Sequence, residues 1–316
     1  MVMEPNTGEI LAAVSTPTYD SNDFVLGLST DEWNTLNNDA SKPLFNRFTQ
    51  KYCPGSTFKS ITAAIALSTG TITPESTVQY SGTSWQKDSS WGDYNVTTLT
   101  PYSGAKNVAN ALLYSDNIFF AQTVLQMGAD TFTQNLKNIG FNESLDFPLT
   151  LAKSQYSSSE DGEISTEIKL ADTGYGQGDL LLNPIHMASI YSAFANGGSM
   201  VKPYIEYNNG ETEIYKENVF TEEAAETVKN DLIQVVETGT ANDMKINGLT
   251  IAGKTGTAEL KTSNEDTESG TLGWFNCFTI GRSQGDLLMV GMVENTQNNS
   301  SGGSHYIISK MKAILQ

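Results

Sequence analysis

The chain has 316 residues, and 38% of them are hydrophobic, which is enough for a sizeable core in one large domain or two smaller ones. Its 36 acidic residues outnumber its 18 basic ones, and the formal net charge of −18 argues against nucleic acid or an anionic membrane as the main partner. Two histidines and two cysteines are too few to favour a zinc site built from these ligands.

The N-terminal part of the chain predicts two strands, an irregular segment and a buried helix. Residues 2–4 and 9–14 flank a Pro-Asn-Thr-Gly turn, a pattern typical of a β-hairpin. Residues 16–50 are rich in Asn, Asp, Ser and Thr and are expected to be irregular. A Pro-Gly pair then precedes a helix predicted over residues 56–68, which is apolar nearly all round and therefore typical of a buried helix.

The middle of the chain is predicted to be mainly helical, because apolar residues recur there at helical spacing. The helix near residue 184 has a clear start signal, an Asn cap followed by Pro in the first turn. The segments 69–102 and 153–167 are rich in turn residues or polar residues and are expected to be loops. The predicted helices span residues 105–114, 118–127, 130–139, 184–195 and 221–237.

After Gly248 the pattern changes from helical to extended. The predicted elements are strands at 249–259, 273–281 and 287–294 and a final amphipathic helix at 304–315. Strands therefore occupy both ends of the chain. This order predicts an α+β fold with a mostly antiparallel sheet, built from residues 1–15 and about 240–316 and flanked by helices, with a large, mainly helical insertion at about 16–239.

Targeting signals are not evident in the sequence. No run of about 20 apolar residues is present that would span a membrane. The first residues lack the basic and apolar regions of a signal peptide. Composition leaves two alternatives open, a cytosolic protein or a fragment whose targeting segment has been removed.

The first candidate for chemistry is a serine followed by a lysine. With only two histidines, a serine nucleophile is expected to use another base, such as a lysine whose pKa is lowered. Ser56 and Lys59 lie on one face of the predicted helix, and the helix N-terminus favours a developing oxyanion beside Ser56. The dipole and burial are expected to lower the pKa of Lys59. Only the first of the five Ser-x-x-Lys matches follows Pro-Gly and opens a buried helix; the matches begin at Ser56, Ser84, Ser103, Ser199 and Ser309.

Two further short motifs follow in the chain. Ser115-Asp116-Asn117 is the only Ser-x-Asn and lies at a break between two predicted helices; taken alone, it is more typical of a helix N-cap. Lys254-Thr255-Gly256-Thr257 contains the only Lys-Ser/Thr-Gly and lies on a predicted strand, where a glycine allows close approach of a ligand. Alternation places Lys254 and Gly256 on one face and the two threonines on the other, although a lone motif of this kind is more typical of a solvated strand.

Together and in this order, the three motifs are those of penicillin-binding proteins and class A β-lactamases. Over nearly its whole length the chain resembles the transpeptidase domain of class B penicillin-binding proteins. Residues 5–12 and Tyr175-Gly176-Gln177-Gly178 add to this resemblance. Residues 85–97 and 115–121 resemble the low-affinity, methicillin-resistance type, although Thr255 stands where one form of that type has Ser.

The resemblance implies a serine D,D-transpeptidase that needs neither cofactor nor metal. Ser56 would attack a D-Ala-D-Ala carbonyl of a peptidoglycan stem peptide or a β-lactam, and Lys59 would accept its proton. Ser115 would relay a proton to the leaving amine, with Lys254 setting the local charge. Asn117 would bind the substrate amide and orient Lys59. Two lysines in one cleft disfavour each other's charge, which helps Lys59 to act as a neutral base.

The resemblance also implies a binding strand and a location. Thr255, Gly256 and Thr257 would bind the substrate, the two threonines holding its terminal carboxylate, and the N–H groups of Ser56 and Thr257 would form the oxyanion hole. The partners would be stem peptides, β-lactams and cell-wall synthesis proteins, with no nucleic acid. The domain would act at the outer face of the cytoplasmic membrane, as a soluble fragment without its N-terminal anchor.

Three alternatives share these motifs. A β-lactamase needs a base for deacylation, such as a glutamate that holds a water molecule. Three candidates lie between the second and third motifs, Glu160, Glu163 and Glu167, although their polar loop is typical of a solvated segment. A D,D-carboxypeptidase differs only in its acceptor. A β-lactam-sensing or scaffolding domain would keep the serine and the lysine without turnover.

Other distinctive residues are given structural roles. Trp85 and Trp91 are expected to pack together rather than to line a cleft, and Trp274-Phe275 is expected in the core. His186 and His305 are expected to be structural. Cys53 and Cys277 are expected to be free, partly buried thiols.

Overall fold

The computed structural model describes residues 1–159, 162–259, 270–296 and 303–316. Short strands and helices alternate through most of the chain, and long strands dominate its last part. In order, the elements are β1 (Val2–Met3), β2 (Ile10–Ala12), α1 (Ser21–Leu26), α2 (Thr30–Asn38), α3 (Lys59–Ser68), β3 (Ser84–Trp85), β4 (Val96–Thr97), α4 (Val108–Leu113), α5 (Asn117–Met127), α6 (Ala129–Asn138), α7 (Glu167–Gly174), α8 (Pro184–Ala195), β5 (Met200–Val201), β6 (Ile214–Lys216), α9 (Glu222–Glu237), β7 (Thr250–Glu259), β8 (Thr271–Ile280), β9 (Leu288–Val293) and α10 (Gly303–Leu315).

One five-stranded sheet joins the two ends of the chain, in the order β2-β1-β9-β8-β7. Every pairing in it is antiparallel, and β7 pairs with β8 over its whole length, from Thr250 opposite Ile280 to Glu259 opposite Thr271. The predicted α+β fold, with a sheet built from both chain ends, is confirmed. The division of the chain at about residues 16 and 239 stays a prediction.

The predicted helices are present, with ends within three residues of those expected. The sequence-based prediction was wrong for residues 16–50, where α1 and α2 form, and it did not include α7. Asp20 caps α1, and a Ser29/Glu32 capping box starts α2. Neither of these two helices buries a side chain, and with six and nine residues both are too short to show the repeated apolar spacing from which a helix is predicted.

Two helices form the buried centre of the molecule. Every residue from Lys59 to Ala66 of α3 is buried, and so is every residue from Pro184 to Phe194 of α8. Helix α3 packs against α5 and α9, while α8, α9 and α10 pack against the sheet. No helix in the described ranges is both long and apolar enough to cross a membrane.

The sheet is tied to the segment that precedes α3. Trp274 of β8 is fully buried and donates from Nε1 to the Cys53 carbonyl at 3.0 Å, and Phe275 beside it is also buried, which confirms the expected core pair. Cys53 and Cys277 are both free and buried, as expected.

A tight turn, Gly55–Phe58, carries Ser56 and leads into α3, so this part of the predicted helix is a 3₁₀ turn. Gly55 has a φ of 54°, and a Cβ there would overlap the Thr257 carbonyl of β7. On its other side, the Gly55 N–H donates to the Gly176 carbonyl at 3.0 Å. The serine turn is therefore held between β7 and the loop that follows α7.

Gly176→Ala is expected to destabilise the protein much more than Gly178→Ala. Both glycines have positive φ. An alanine in this left-handed backbone conformation lowers the free energy of unfolding by about 1–2 kcal/mol, and both variants carry this cost. Only at Gly176 would the new methyl group overlap a backbone atom, the Gly55 carbonyl oxygen. At Gly178 the nearest atom, Asp172 Cβ, would lie 3.5 Å away. Thermal denaturation should show a Tm lower for Gly176→Ala than for Gly178→Ala by at least roughly 2–4 °C. Equal Tm values would contradict the close packing of this turn.

Candidate active site

A cleft of about 780 Å³ opens over the serine turn. Six of the predicted site residues line it: Ser56, Ser115, Asn117, Thr255, Gly256 and Thr257. The other two, Lys59 and Lys254, are fully buried. Both lysines reach Ser115, so the fold brings all eight predicted site residues together.

Ser115 is the meeting point of the two lysines. Lys59 Nζ donates to the Ser115 carbonyl at 2.6 Å and to its hydroxyl at 3.1 Å. Lys254 Nζ donates to the same hydroxyl at 3.1 Å and to the Thr255 carbonyl at 3.3 Å. One hydroxyl therefore links α3, the α4–α5 connection and β7.

The backbone of Ser115 is in an unusual conformation, with a φ of 58°. Its neighbour Asp116 is fully buried and caps α5, since its carboxylate accepts hydrogen bonds from the N–H groups of Ile118 and Phe119. The hydroxyls of Tyr80 and Tyr102 donate to the other carboxylate oxygen. The cap expected for this motif is thus made by Asp116, which leaves the Ser115 hydroxyl to the lysines.

The two lysines have lowered pKa values. Burial lowers the pKa of Lys59 well below its ordinary value, the charge of Lys254 lowers it further, and Asp116 opposes the shift. Burial lowers the pKa of Lys254 to about 7. A lysine that is neutral near neutral pH can accept a proton, which is the property that a serine nucleophile requires of its base.

Ser56 lies half-buried at the entrance to α3. Its hydroxyl makes no hydrogen bond within the described residues, whereas the hydroxyl of the neighbouring Thr57 is held by the Pro54 carbonyl at 2.8 Å. At Gly256 a Cβ would lie 2.9 Å from the Pro54 carbonyl oxygen, so the strand and the turn are in close contact. The backbones of Ser56 and Thr257 are therefore close together, as an oxyanion hole shared between them requires.

Asn117 and Thr255 hold other partners in the cleft. Asn117 Nδ2 donates to the Thr97 carbonyl at 2.8 Å. Lys59 donates to the Ser115 carbonyl and hydroxyl, and no hydrogen bond joins it to Asn117 within the described residues, so the role of Asn117 in orienting Lys59 stays a prediction. The Thr255 hydroxyl shares a hydrogen bond of 2.8 Å with that of Thr240, which the sequence did not single out.

Comparison with known proteins identifies the family of the chain. The family model described as the penicillin-binding protein transpeptidase domain matches residues 1–316. The chain belongs to this family.

Two of its relatives are curated bacterial proteins. Penicillin-binding protein 3 of Bacillus subtilis is 42% identical over 100% of this chain and 47% of its own length. Peptidoglycan D,D-transpeptidase PbpA of Mycolicibacterium smegmatis is 32% identical over 84% of this chain and 56% of its own length. The chain therefore spans about half the length of these relatives.

A solved structure has the same fold. Penicillin-binding protein A of Mycobacterium tuberculosis, in a penicillin G acyl-enzyme complex, superposes with a TM-score of 0.80. The two sequences are 26% identical, and the match covers 100% of this chain and 74% of the mycobacterial one.

Sequence reasoning missed two cleft residues of this transpeptidase-family chain, Asp172 and Thr240. Tyr94, Tyr175 and Gln177 were noted only through the family resemblance, and His305 only as a structural residue. These residues lie in loops or at element ends, where no periodicity marks them. His305, expected to be structural, is bonded to Asp243 at 2.7 Å and also lines the cleft.

The other structural assignments are confirmed. Trp91 is buried and packs edge to face on Trp85, with ring centroids 5.6 Å apart, and neither ring lines the cleft. His186 is buried and bonded to Ser154 and to the Ile139 carbonyl.

Two of the glutamates considered for a β-lactamase, Glu163 and Glu167, do not line the cleft. Glu167 forms an exposed ion pair with Lys87 instead, and Glu160 lies outside the described residues. Asp172 is the only carboxylate among the described cleft residues. In the described ranges, no group of His, Cys, Asp and Glu side chains could hold a metal ion.

Two substitutions of Ser115 distinguish the effect of its hydroxyl group from the effect of its strained backbone. Ser115→Ala and Ser115→Gly both remove the hydroxyl between the lysines, and both are expected to slow acylation by penicillin G by about 100-fold or more, the usual contribution of a positioned proton-transfer group. Glycine tolerates the φ of 58°, so Ser115→Gly should be more stable than Ser115→Ala by about 1 kcal/mol. Acylation kinetics by mass spectrometry and thermal denaturation measure the two effects. Near-normal acylation in either variant would exclude the hydroxyl from the proton path.

Proposed function

We propose that this domain is a serine D,D-transpeptidase that cross-links peptidoglycan stem peptides through an acyl-enzyme on Ser56. The observation that carries the proposal is the buried Lys59–Ser115–Lys254 arrangement beside a serine whose hydroxyl is free within the described residues. The names of the relatives, a penicillin-binding protein and a peptidoglycan D,D-transpeptidase, support it. The proposal places the reaction outside the cytoplasm, where peptidoglycan is assembled.

Acylation would use the residues at the floor of the cleft. Ser56 Oγ attacks the carbonyl between two D-Ala residues as neutral Lys59 takes its proton, and the N–H groups of Ser56 and Thr257 stabilise the oxyanion. When the C–N bond breaks, the leaving D-Ala amine receives a proton through the Ser115 hydroxyl, which is replenished from a lysine. Lys254 sets the local positive charge.

Deacylation would complete the cross-link. The amine of a second stem peptide attacks the ester carbonyl, a C–N bond forms, and the C–O bond to Ser56 breaks. Ser56 Oγ regains a proton, and the amine nitrogen loses its surplus protons to the basic groups of the cleft or to water. With water as acceptor, the same site would be a D,D-carboxypeptidase.

Strand β7 and the first residue of α5 would bind the donor peptide. Thr255 and Thr257 are proposed to hold the terminal carboxylate of the donor with the charge of Lys254, and Gly256 lets the substrate lie close to the strand. Asn117 is proposed to bind a substrate amide. A β-lactam mimics this donor and would acylate Ser56. Low β-lactam affinity, cell-wall synthesis partners and an N-terminal membrane anchor stay predictions.

Intact mass after incubation with penicillin G tests the nucleophile. We expect an adduct of one drug mass on the unaltered protein and none on Ser56→Ala. Ser309→Ala is the matched control, because Ser309 also begins a Ser-x-x-Lys sequence but lies exposed on α10, and it should keep the adduct.

A stem-peptide assay with an amine acceptor then tests turnover. A cross-linked dimer lost in Ser56→Ala supports the transpeptidase. Drug consumption without a lasting adduct would instead indicate a β-lactamase, and an adduct without peptide turnover would indicate a sensing domain. An adduct that survives in Ser56→Ala would overturn the assignment of the nucleophile.

A further inference from the structure

A carboxylate lines the cleft on the side of the serine turn that lies opposite β7. Asp172 lies near the end of α7 and lines the cleft together with Tyr94 and Tyr175. The hydroxyls of both tyrosines donate to its Oδ1, and the two hydroxyl oxygens are 3.1 Å apart. This carboxylate is therefore held by Tyr94 from a distant loop and by Tyr175 at the end of its own helix.

The second oxygen of Asp172 is left for a ligand. Oδ2 accepts no hydrogen bond within the described residues, and it keeps some contact with solvent in a residue that lines the cleft. None of the ion pairs in the described ranges includes Asp172. Burial raises the pKa of Asp172, a sign that its charge is poorly solvated. A cation from solution would relieve this cost.

The position of Asp172 suggests which substrate supplies the cation. The serine turn lies between β7 and the loop after α7, since Gly55 contacts the Thr257 carbonyl on one side and bonds to the Gly176 carbonyl on the other. In the proposed function, β7 binds the donor peptide. The wall that carries Asp172 and Tyr175 is then the side of Ser56 from which a second substrate can approach.

On the basis of the proposed function, we propose that Asp172 is the anionic subsite for the amine acceptor, binding its ammonium group through Oδ2. The acceptor must carry an amine in order to form the cross-link, and a simple amine is largely protonated at neutral pH. Tyr94 and Tyr175 act as positioning residues that hold the carboxylate by Oδ1. The assignment concerns binding of the acceptor, and no covalent step is assigned to Asp172.

Acceptor kinetics with Asp172→Asn test this subsite. An acyl-D-alanyl thiolester serves as donor, glycinamide as a cationic acceptor and hydroxylamine as a nucleophile that is mostly neutral at neutral pH. We expect Asp172→Asn to raise the half-saturating concentration of glycinamide about tenfold or more, as expected for the loss of one charge-assisted hydrogen bond. Thiolester hydrolysis, hydroxylamine transfer and penicillin G acylation should stay within about threefold of the unaltered protein, because none of them uses a cation.

Two variants serve as controls. Asp179→Asn removes a nearby carboxylate that pairs with Lys169 and does not line the cleft, so it should leave glycinamide saturation unchanged. Tyr94→Phe removes one positioning hydroxyl and keeps the charge, so its effect should be smaller than that of Asp172→Asn. Rising salt on the unaltered protein should raise the half-saturating concentration of glycinamide and not that of hydroxylamine.

The outcomes separate this proposal from the proposed function. Suppose that Ser56→Ala loses the penicillin adduct, while Asp172→Asn changes the half-saturating concentrations of glycinamide and hydroxylamine equally. This result would overturn the subsite and leave the proposed function intact. No adduct on the unaltered protein would overturn the proposed function. If Asp172→Asn fails to fold, as judged by its penicillin acylation, the salt series decides, and equal salt dependence for both nucleophiles would refute the subsite.

Discussion

The burial of two lysines beside one serine hydroxyl is the constraint on which the rest of this site depends. An ammonium group withdrawn from water costs several kcal/mol unless it is paired or loses its proton. Lys59 and Lys254 are both fully buried, and both donate to Ser115 Oγ at 3.1 Å. Their pKa values fall in consequence, so the same burial that costs stability yields a base near neutral pH.

The fold supports this arrangement from three directions. Helix α3 places Lys59 in the centre of the molecule, β7 places Lys254 beside it, and the Asp116 cap fixes the loop that holds Ser115 between them. The φ of 58° at Ser115 is backbone strain that the surrounding structure maintains at the residue between the two buried lysines. Glycines at 55, 176 and 256 remove the side chains that would separate the serine turn from its neighbours.

The sequence was most informative where periodicity and chemistry coincide. The buried helices and the three strands of the C-terminal region follow from apolar patterns, and Ser56, Ser115 and Lys254 follow from motifs in a fixed order. Helices α1 and α2 were missed because they are short, start at local caps and bury no side chain, so they show no repeated apolar spacing. Asp172 could not be found in the sequence, since its proposed role depends on Tyr94, which is distant in the chain, and on a cleft that only the fold creates.

The central claim is that the site contains lysines with strongly lowered pKa values. NMR titration of the protein with ¹³C-labelled lysine side chains measures this directly, with Lys59→Ala and Lys254→Ala used to assign the resonances. We predict that Lys254 titrates near pH 7 and Lys59 far below the usual lysine value of about 10.4. Normal titration of both resonances would contradict the account, because neither lysine would then be neutral when the serine needs its base.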